Sequence, residues 1–191
     1  MSVSLIHWLH RRNPPISCIY CSESEVQHMQ QTNRFSYMAA EAPALRGELR
    51  GSADHPEVEG LIFAYWLDGA LYIQAEFEGL PPERIFGFHI HEGIICGQPD
   101  GKEPFKDAGG HLSNCPEGTW CAQHPYHIGD LPPIFSDSSG YAAMGIFLGK
   151  AAVADYSGKP IILHSMHDDF RTQPAGDSGM RIACGIFAES L

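Results

Sequence analysis

The chain has 191 residues, 43% hydrophobic and 18% charged, and its 12 Lys+Arg against 23 Asp+Glu give a formal charge of -11. That length suits one globular domain with a short appendage, and the acidic balance excludes the basic surface that nucleic acid needs and disfavours anionic lipid. No apolar run approaches the ~20 residues of a membrane-spanning helix, so no membrane partner is expected.

The start, MSVSLIHWLHRR, puts its arginines after a very short apolar stretch, the reverse of a secretory leader, which leaves a cytoplasmic site as the default. Residues 1–41 mix charges, Gln, Asn and the pair Pro14-Pro15 without sustained periodicity. They read as a loosely ordered extension with a short helix around Glu23 to Gln31. A domain spanning 42–191 follows. Its first strand is expected at Ala44 to Arg50, and the next at the apolar run Leu61 to Leu67, which the hairpin-turn pair Asp68-Gly69 joins to a third. In that third strand Leu71, Ile73, Ala75 and Phe77 alternate with Tyr72, Gln74, Glu76 and Glu78, giving one apolar and one polar face.

Further strands are expected at Arg84 to His91, Leu131 to Phe135, Tyr141 to Leu148, Pro160 to His164 and Arg181 to Ala188, eight in all, with no convincing long helix. Between His91 and Asp130, and again between His164 and Arg181, lie long segments rich in Gly, Pro, Asp and His. Loops of that length in a compact domain are functional or disordered, and the density of ligand-type side chains favours function. The expected fold is all-β: an eight-stranded antiparallel Greek-key barrel or sandwich with two long functional loops.

Of the 11 histidines, seven fall between His89 and His167. His89-Ile90-His91 ends a predicted strand, where residues i and i+2 share a face, so both imidazoles can converge on one ion. Alone, H-x-H is weak and equally describes a pair of core or surface histidines. The weight comes from His111 after the Ala108-Gly109-Gly110 run, from His124 and His127 around Pro125-Tyr126, from Asp130, and from His164 at the end of another apolar strand. Six histidines and one carboxylate suffice for two nitrogen-rich sites of four ligands each if one His is shared, and such donors suit copper and zinc rather than magnesium or calcium.

Five stretches, GFHIHE (Gly87 to Glu92), AGGH (Ala108 to His111), HIGDLP (His127 to Pro132), IILHSMHDD (Ile161 to Asp169) and GMRIACG (Gly179 to Gly185), resemble the copper/zinc superoxide dismutase family in content and order. The resemblance implies dismutation of superoxide, with copper held by His89, His91, His111 and His164 and zinc by His111, His124, His127 and Asp130. It also implies that Asp168 ties His89 to His124, that Arg181 attracts and orients the anionic substrate, that Cys96 and Cys184 form a disulfide, and that His111 is the proton donor. A homodimer is a further implication, and the disulfide pair allows an extracytoplasmic site. The chemistry needs a one-electron metal, which imidazole-ligated copper supplies and zinc does not.

The chain departs from the family most after His111. The gap to His124 is lengthened by a stretch holding Cys115 and Cys121, and His124 to His127 is much shorter than usual, so either both rings bind zinc or one binds and the other caps the loop. Cys115 and Cys121 are expected to close the insertion as a local disulfide, with free thiols the alternative in a reducing compartment. Cys18-Ile19-Tyr20-Cys21 has no second pair and reads as incidental rather than a zinc or redox motif. His167 matches no ligand, and Arg171 is the one other basic residue between His164 and Arg181, so steering of the substrate is expected to be weak. Two other readings compete: a non-catalytic domain of the same kind that buffers or transfers metal, and an interaction module.

Overall fold

A computed structural model describes residues 42–67, 69–97, 103–148 and 153–190. The expected extension 1–41, its helix and the Cys18/Cys21 pair lie outside the described residues; the compact unit that follows begins at Pro43. The strands are β1 (Leu45–Gly51), β2 (Glu59–Leu67), β3 (Ala70–Glu78), β4 (Ile85–Phe86), β5 (Phe88–Ile90), β6 (Ile134–Phe135), β7 (Ala142–Phe147), β8 (Pro160–His164), β9 (Arg181–Ile186) and β10 (Ala188–Glu189). A four-residue helical turn, Val153–Tyr156, precedes β8. Seven strands hydrogen-bond in the order β5-β8-β9-β1-β2-β3-β7, β10 adds to β1, and β4 pairs with β6 in a separate two-stranded sheet. Every pairing is antiparallel, and the adjacency of β1 to both β2 and β9 makes the connections non-sequential, as in a Greek key.

Each of the eight expected runs contains a strand, but two of them divide, so ten are found among the described residues. Arg84 to His91 breaks at Gly87 because the chain changes partners there: β4 pairs with β6 and β5 with β8. Gly87 donates to the Met166 carbonyl at 2.6 Å and accepts from the His164 N–H at 2.8 Å. A Cβ at Gly87 would stand 2.7 Å from Ser178 Cβ, so glycine is what lets the second loop approach this closely. The run Arg181 to Ala188 breaks at Phe187, where the pairing with the β8 side turns irregular: the Phe187 N–H bonds the Lys159 carbonyl at 3.0 Å, but its own carbonyl accepts the Gly158 N–H at 2.8 Å. β6 is shorter than expected because Pro132 and Pro133 have no N–H to offer a ladder.

The β2–β3 hairpin pairs in register from Glu59↔Glu78 to Leu67↔Ala70 and turns through Gly69, as expected; Asp68 lies outside the described residues. Leu45 and Leu49 of β1, Ile62 and Ala64 of β2, and Leu71, Ile73, Ala75 and Phe77 of β3 point into one core. There Phe77 meets Phe88 of β5 edge to face, with ring centroids 5.4 Å apart. β5 and β8 differ from these strands in being buried at every position. Ile161 and Leu163 of β8 face the main core, while Ile162 on the opposite side packs with Phe105, Ala108 and Cys184 in a second cluster beneath the first loop.

Candidate metal centre

β5 delivers the H-x-H pair as its period dictates: Ile90 enters the core and His89 and His91 turn to the opposite face, both fully buried. Single-rung pairings then bring in residues distant in sequence, His91 lying opposite His111 and His89 opposite Asp130. Main-chain bonds hold these returns, Leu112 N–H to the Ile90 carbonyl at 2.9 Å and Ile90 N–H to the Gly129 carbonyl at 2.8 Å. His164, the last residue of β8, arrives beside His91, with their Nε2 atoms 3.4 Å apart.

Two groups of donors result. His89, His91, His111 and His164 each offer an atom within 4.8 Å of the others, and so do His111, His124, His127 and Asp130. In the second group His111 Nδ1 lies 2.6 Å from Asp130 Oδ1 and His127 Nδ1 lies 3.0 Å from Asp130 Oδ2. His124 Nδ1 stands 3.2 Å from Asp130 Oδ1. The structure therefore brings both His124 and His127 to Asp130 despite their short spacing. His111 belongs to both groups.

The donor chemistry fits metal ions. His89 Nδ1, His111 Nε2 and His124 Nδ1 are buried without a hydrogen-bond partner, an arrangement that costs free energy unless something else engages them. Their neighbours set the tautomers. His89 Nε2–H and His124 Nε2–H donate to the two oxygens of Asp168, each at 2.8 Å, which leaves a lone pair on each Nδ1. Likewise His91 Nδ1–H donates to the Gly109 carbonyl at 3.0 Å, and its Nε2 is free to coordinate. Burial pushes His89 down to about 4, and burial plus the neighbouring imidazoles holds His91 and His164 well below the usual histidine range, so all three rings are neutral at physiological pH. Burial pushes the Asp168 carboxyl up, but hydrogen bonds from His89, Phe170 N–H and His124 outweigh it and bring the group to about 2, fully ionised. Asp130 is lowered the same way, burial being outweighed first by its hydrogen bond with His111.

Arg181 opens β9 opposite His164. Its Nη1 donates to the Phe105 carbonyl and its Nη2 to the Gly109 carbonyl, both at 2.6 Å, so the guanidinium is aimed from two sides. Burial draws its pKa below the usual value, while its charge depresses His91 and His164 beside it. Cys96–Cys184 and Cys115–Cys121 are both bonded, the first tying the loop that carries Phe105 to β9. His167 is exposed, Arg171 is exposed, and His55 lies by Glu57 at 3.9 Å.

A family model described as copper/zinc superoxide dismutase matches residues 62–187. The chain belongs to the copper/zinc superoxide dismutase family. Among curated proteins it is 31% identical over 157 residues to "Superoxide dismutase [Cu-Zn] 2" of Aquifex aeolicus, covering 77% of this chain and 84% of that one. It is 34% identical over 134 residues to "Superoxide dismutase-like protein YojM" of Bacillus subtilis, covering 62% and 63%. Among solved structures, the Cu/Zn superoxide dismutase from Brucella abortus superposes with a TM-score of 0.61 at 27% identity, covering 74% of this chain and 97% of that one. The architecture is thus the β-barrel of this dismutase family, and copper and zinc are the metals that its two imidazole-rich groups could hold.

Sequence reasoning missed the groups that act through the main chain. The carbonyls of Phe105 and Gly109 that aim Arg181 carry no side-chain signal, and Phe105 presents its carbonyl from a left-handed backbone, φ 57°, unusual for an aromatic residue. Gln173, which bonds to the His124 main chain, matches no motif.

Proposed function

We propose that the chain dismutates superoxide to dioxygen and hydrogen peroxide, with copper held by His89, His91, His111 and His164 and zinc by His111, His124, His127 and Asp130. The observation that carries this reading is the His111 ring, which faces Asp130 through Nδ1 and presents a buried, unpartnered Nε2 to the other three histidines. Bound there, copper supplies a one-electron couple and zinc a fixed positive charge on the shared imidazole. The chain's own groups do the rest. Arg181, half-buried and pinned by two carbonyls, offers its charge to a small anion beside His91 and His164. Asp168 keeps His89 and His124 in the tautomer that directs Nδ1 inward. The same His111 Nε2, whenever it is not holding copper, would be the atom placed to pass on the proton that peroxide formation requires.

A second reading is favoured by one of the similarities: the Bacillus subtilis relative bears the name "superoxide dismutase-like". Under it this chain binds copper and zinc to buffer or transfer them without turnover. All six histidines, Asp130 and Arg181 are present, which supports catalysis. Metal analysis combined with superoxide consumption separates the two. Catalysis predicts an active metal-loaded chain, loss of copper and activity but not zinc in His164→Ala, and roughly tenfold or greater loss with both metals retained in Arg181→Ala. A fully loaded chain without activity excludes catalysis and favours the buffering role instead.

A further inference from the structure

Gln173 makes a reciprocal pair of hydrogen bonds with a main chain 49 residues away: its Nε2 donates to the His124 carbonyl at 2.6 Å and its Oε1 accepts the His124 N–H at 3.0 Å. One side-chain amide thus supplies the donor and acceptor of a ladder rung. The same loop grips the ring, through Asp168 Oδ1 on His124 Nε2–H at 2.8 Å. His124 is held at its N–H, its carbonyl and its far ring nitrogen, and its Nδ1 is left to face Asp130.

His124 needs this help. It follows the insertion closed by Cys115–Cys121, and Pro125 and Tyr126 alone separate it from His127, so no strand runs through it. Among the described residues, no backbone-to-backbone hydrogen bond reaches its N–H or its carbonyl. The gripping loop, in contrast, is closed on itself. Asp169 accepts the N–H groups of Arg171 and Thr172, each at 2.8 Å, and the Thr172 hydroxyl at 2.6 Å. Gly176 N–H donates to the Thr172 carbonyl at 2.7 Å, and the Gly176 carbonyl accepts Asp169 N–H at 2.9 Å. A Cβ on Gly176, φ 66°, would stand 1.9 Å from Asp168 Oδ1 and 2.8 Å from His124 Nε2, so the loop seats directly on the histidine.

We propose that Gln173 is a positioning residue for the zinc group: its amide fixes the His124 main chain so that Nδ1 converges with His111, His127 and Asp130. The inference rests on the assignment of His124 to zinc. By linkage, zinc occupancy and closure of the 168–176 loop reinforce each other.

The test uses the full chain, zinc competition against a chromophoric chelator, cobalt(II) substitution read by its visible spectrum, and the melting of each metal-free variant. Gln173→Ala is expected to bind zinc roughly ten- to a hundred-fold more weakly, the usual cost of losing a group that orients a ligand. Its cobalt spectrum should change while copper affinity stays native. Gln173→Glu keeps the acceptor and loses the donor, so it should fall between, and it carries the comparison if the alanine variant does not fold. A folded Gln173→Ala with native zinc affinity and cobalt spectrum overturns the proposal, and so does equal weakening of copper and zinc, the mark of a general loss of fold. If His124→Ala leaves zinc affinity untouched, the ligand assignment fails and the inference fails with it.

Discussion

The β2–β3 hairpin and the β5–β8 pair are built from the same antiparallel geometry and are used differently. In β2 and β3 the core side chains alternate with residues that reach the surface, and the strands need nothing beyond the core they cover. In β5 and β8 every position is buried, because two long loops lie over the outer face and turn it into a second interior. A sheet face covered by loops can exclude water from polar groups, and the histidines are placed there. The lesson is that the hairpin supplies stability through apolar burial, whereas the loop-covered half stores unpaired donors that a metal must satisfy.

Cutting the covalent ties should expose the difference most strongly. Cys96–Cys184 spans 88 residues and joins the covering loop to β9, whereas Cys115–Cys121 spans 6. In the chain-entropy account the long closure contributes about 4.6 kcal/mol and the short one about 2.2. Paired Cys→Ala variants, compared by denaturant unfolding, should show that order, with hydrogen exchange rising in the loops and not in β2 and β3 when the long tie is lost. Equal losses would mean that the loops are held without it.

Phe77→Ala tests the other half. Loss of this buried ring should cost about 3–5 kcal/mol with and without metal, and the metal affinity of the folded fraction should remain native. Removing the metals from the unmodified chain should do the converse, accelerating exchange in the two loops and leaving the hairpin protected. If chelation loosens β2 and β3 as much as the loops, the division into two interiors is wrong.

The smallest expected effect is at Tyr156, whose buried hydroxyl donates to the Ile128 carbonyl at 3.0 Å and so fastens the helical turn to the residue after His127. Tyr156→Phe should cost about 1 kcal/mol. Burial, with Asp155 adding to it, pushes this phenol up to about 12. The unfolded chain loses the proton near pH 10, as a model phenol does, while the folded chain keeps it. Between those values the native state binds more protons, so stability present below pH 10 falls as pH rises toward about 12. Unfolding curves across that window should be steeper for the native chain than for Tyr156→Phe; parallel curves would remove Tyr156 as the cause.

Much of this arrangement could be read from residue order. H-x-H on a strand, His111 after its glycines and His164 at a strand end announce themselves because holding a metal needs a particular side chain and a strand shows which face it occupies, whereas Asp168 entered only through the family resemblance. The break at Gly87 was hidden because the sequence around it stays apolar and strand-like; what interrupts the ladder is a carbonyl, Met166, from a distant loop. Phe105 was hidden for a related reason, since its function lies in the direction of its peptide and any residue has a carbonyl.

Side-chain chemistry and periodicity, both local, were enough to indicate by themselves an all-β domain, its core face and a set of histidine and aspartate side chains suited to metal, while the Cys96–Cys184 pairing came only with the family resemblance. Convergence was decided by tertiary structure alone: which ring nitrogen faces inward, how Arg181 is aimed, and how a glutamine from one loop holds a histidine in another. These depend on hydrogen bonds between groups many residues apart, whose partners are set by the path of the whole backbone.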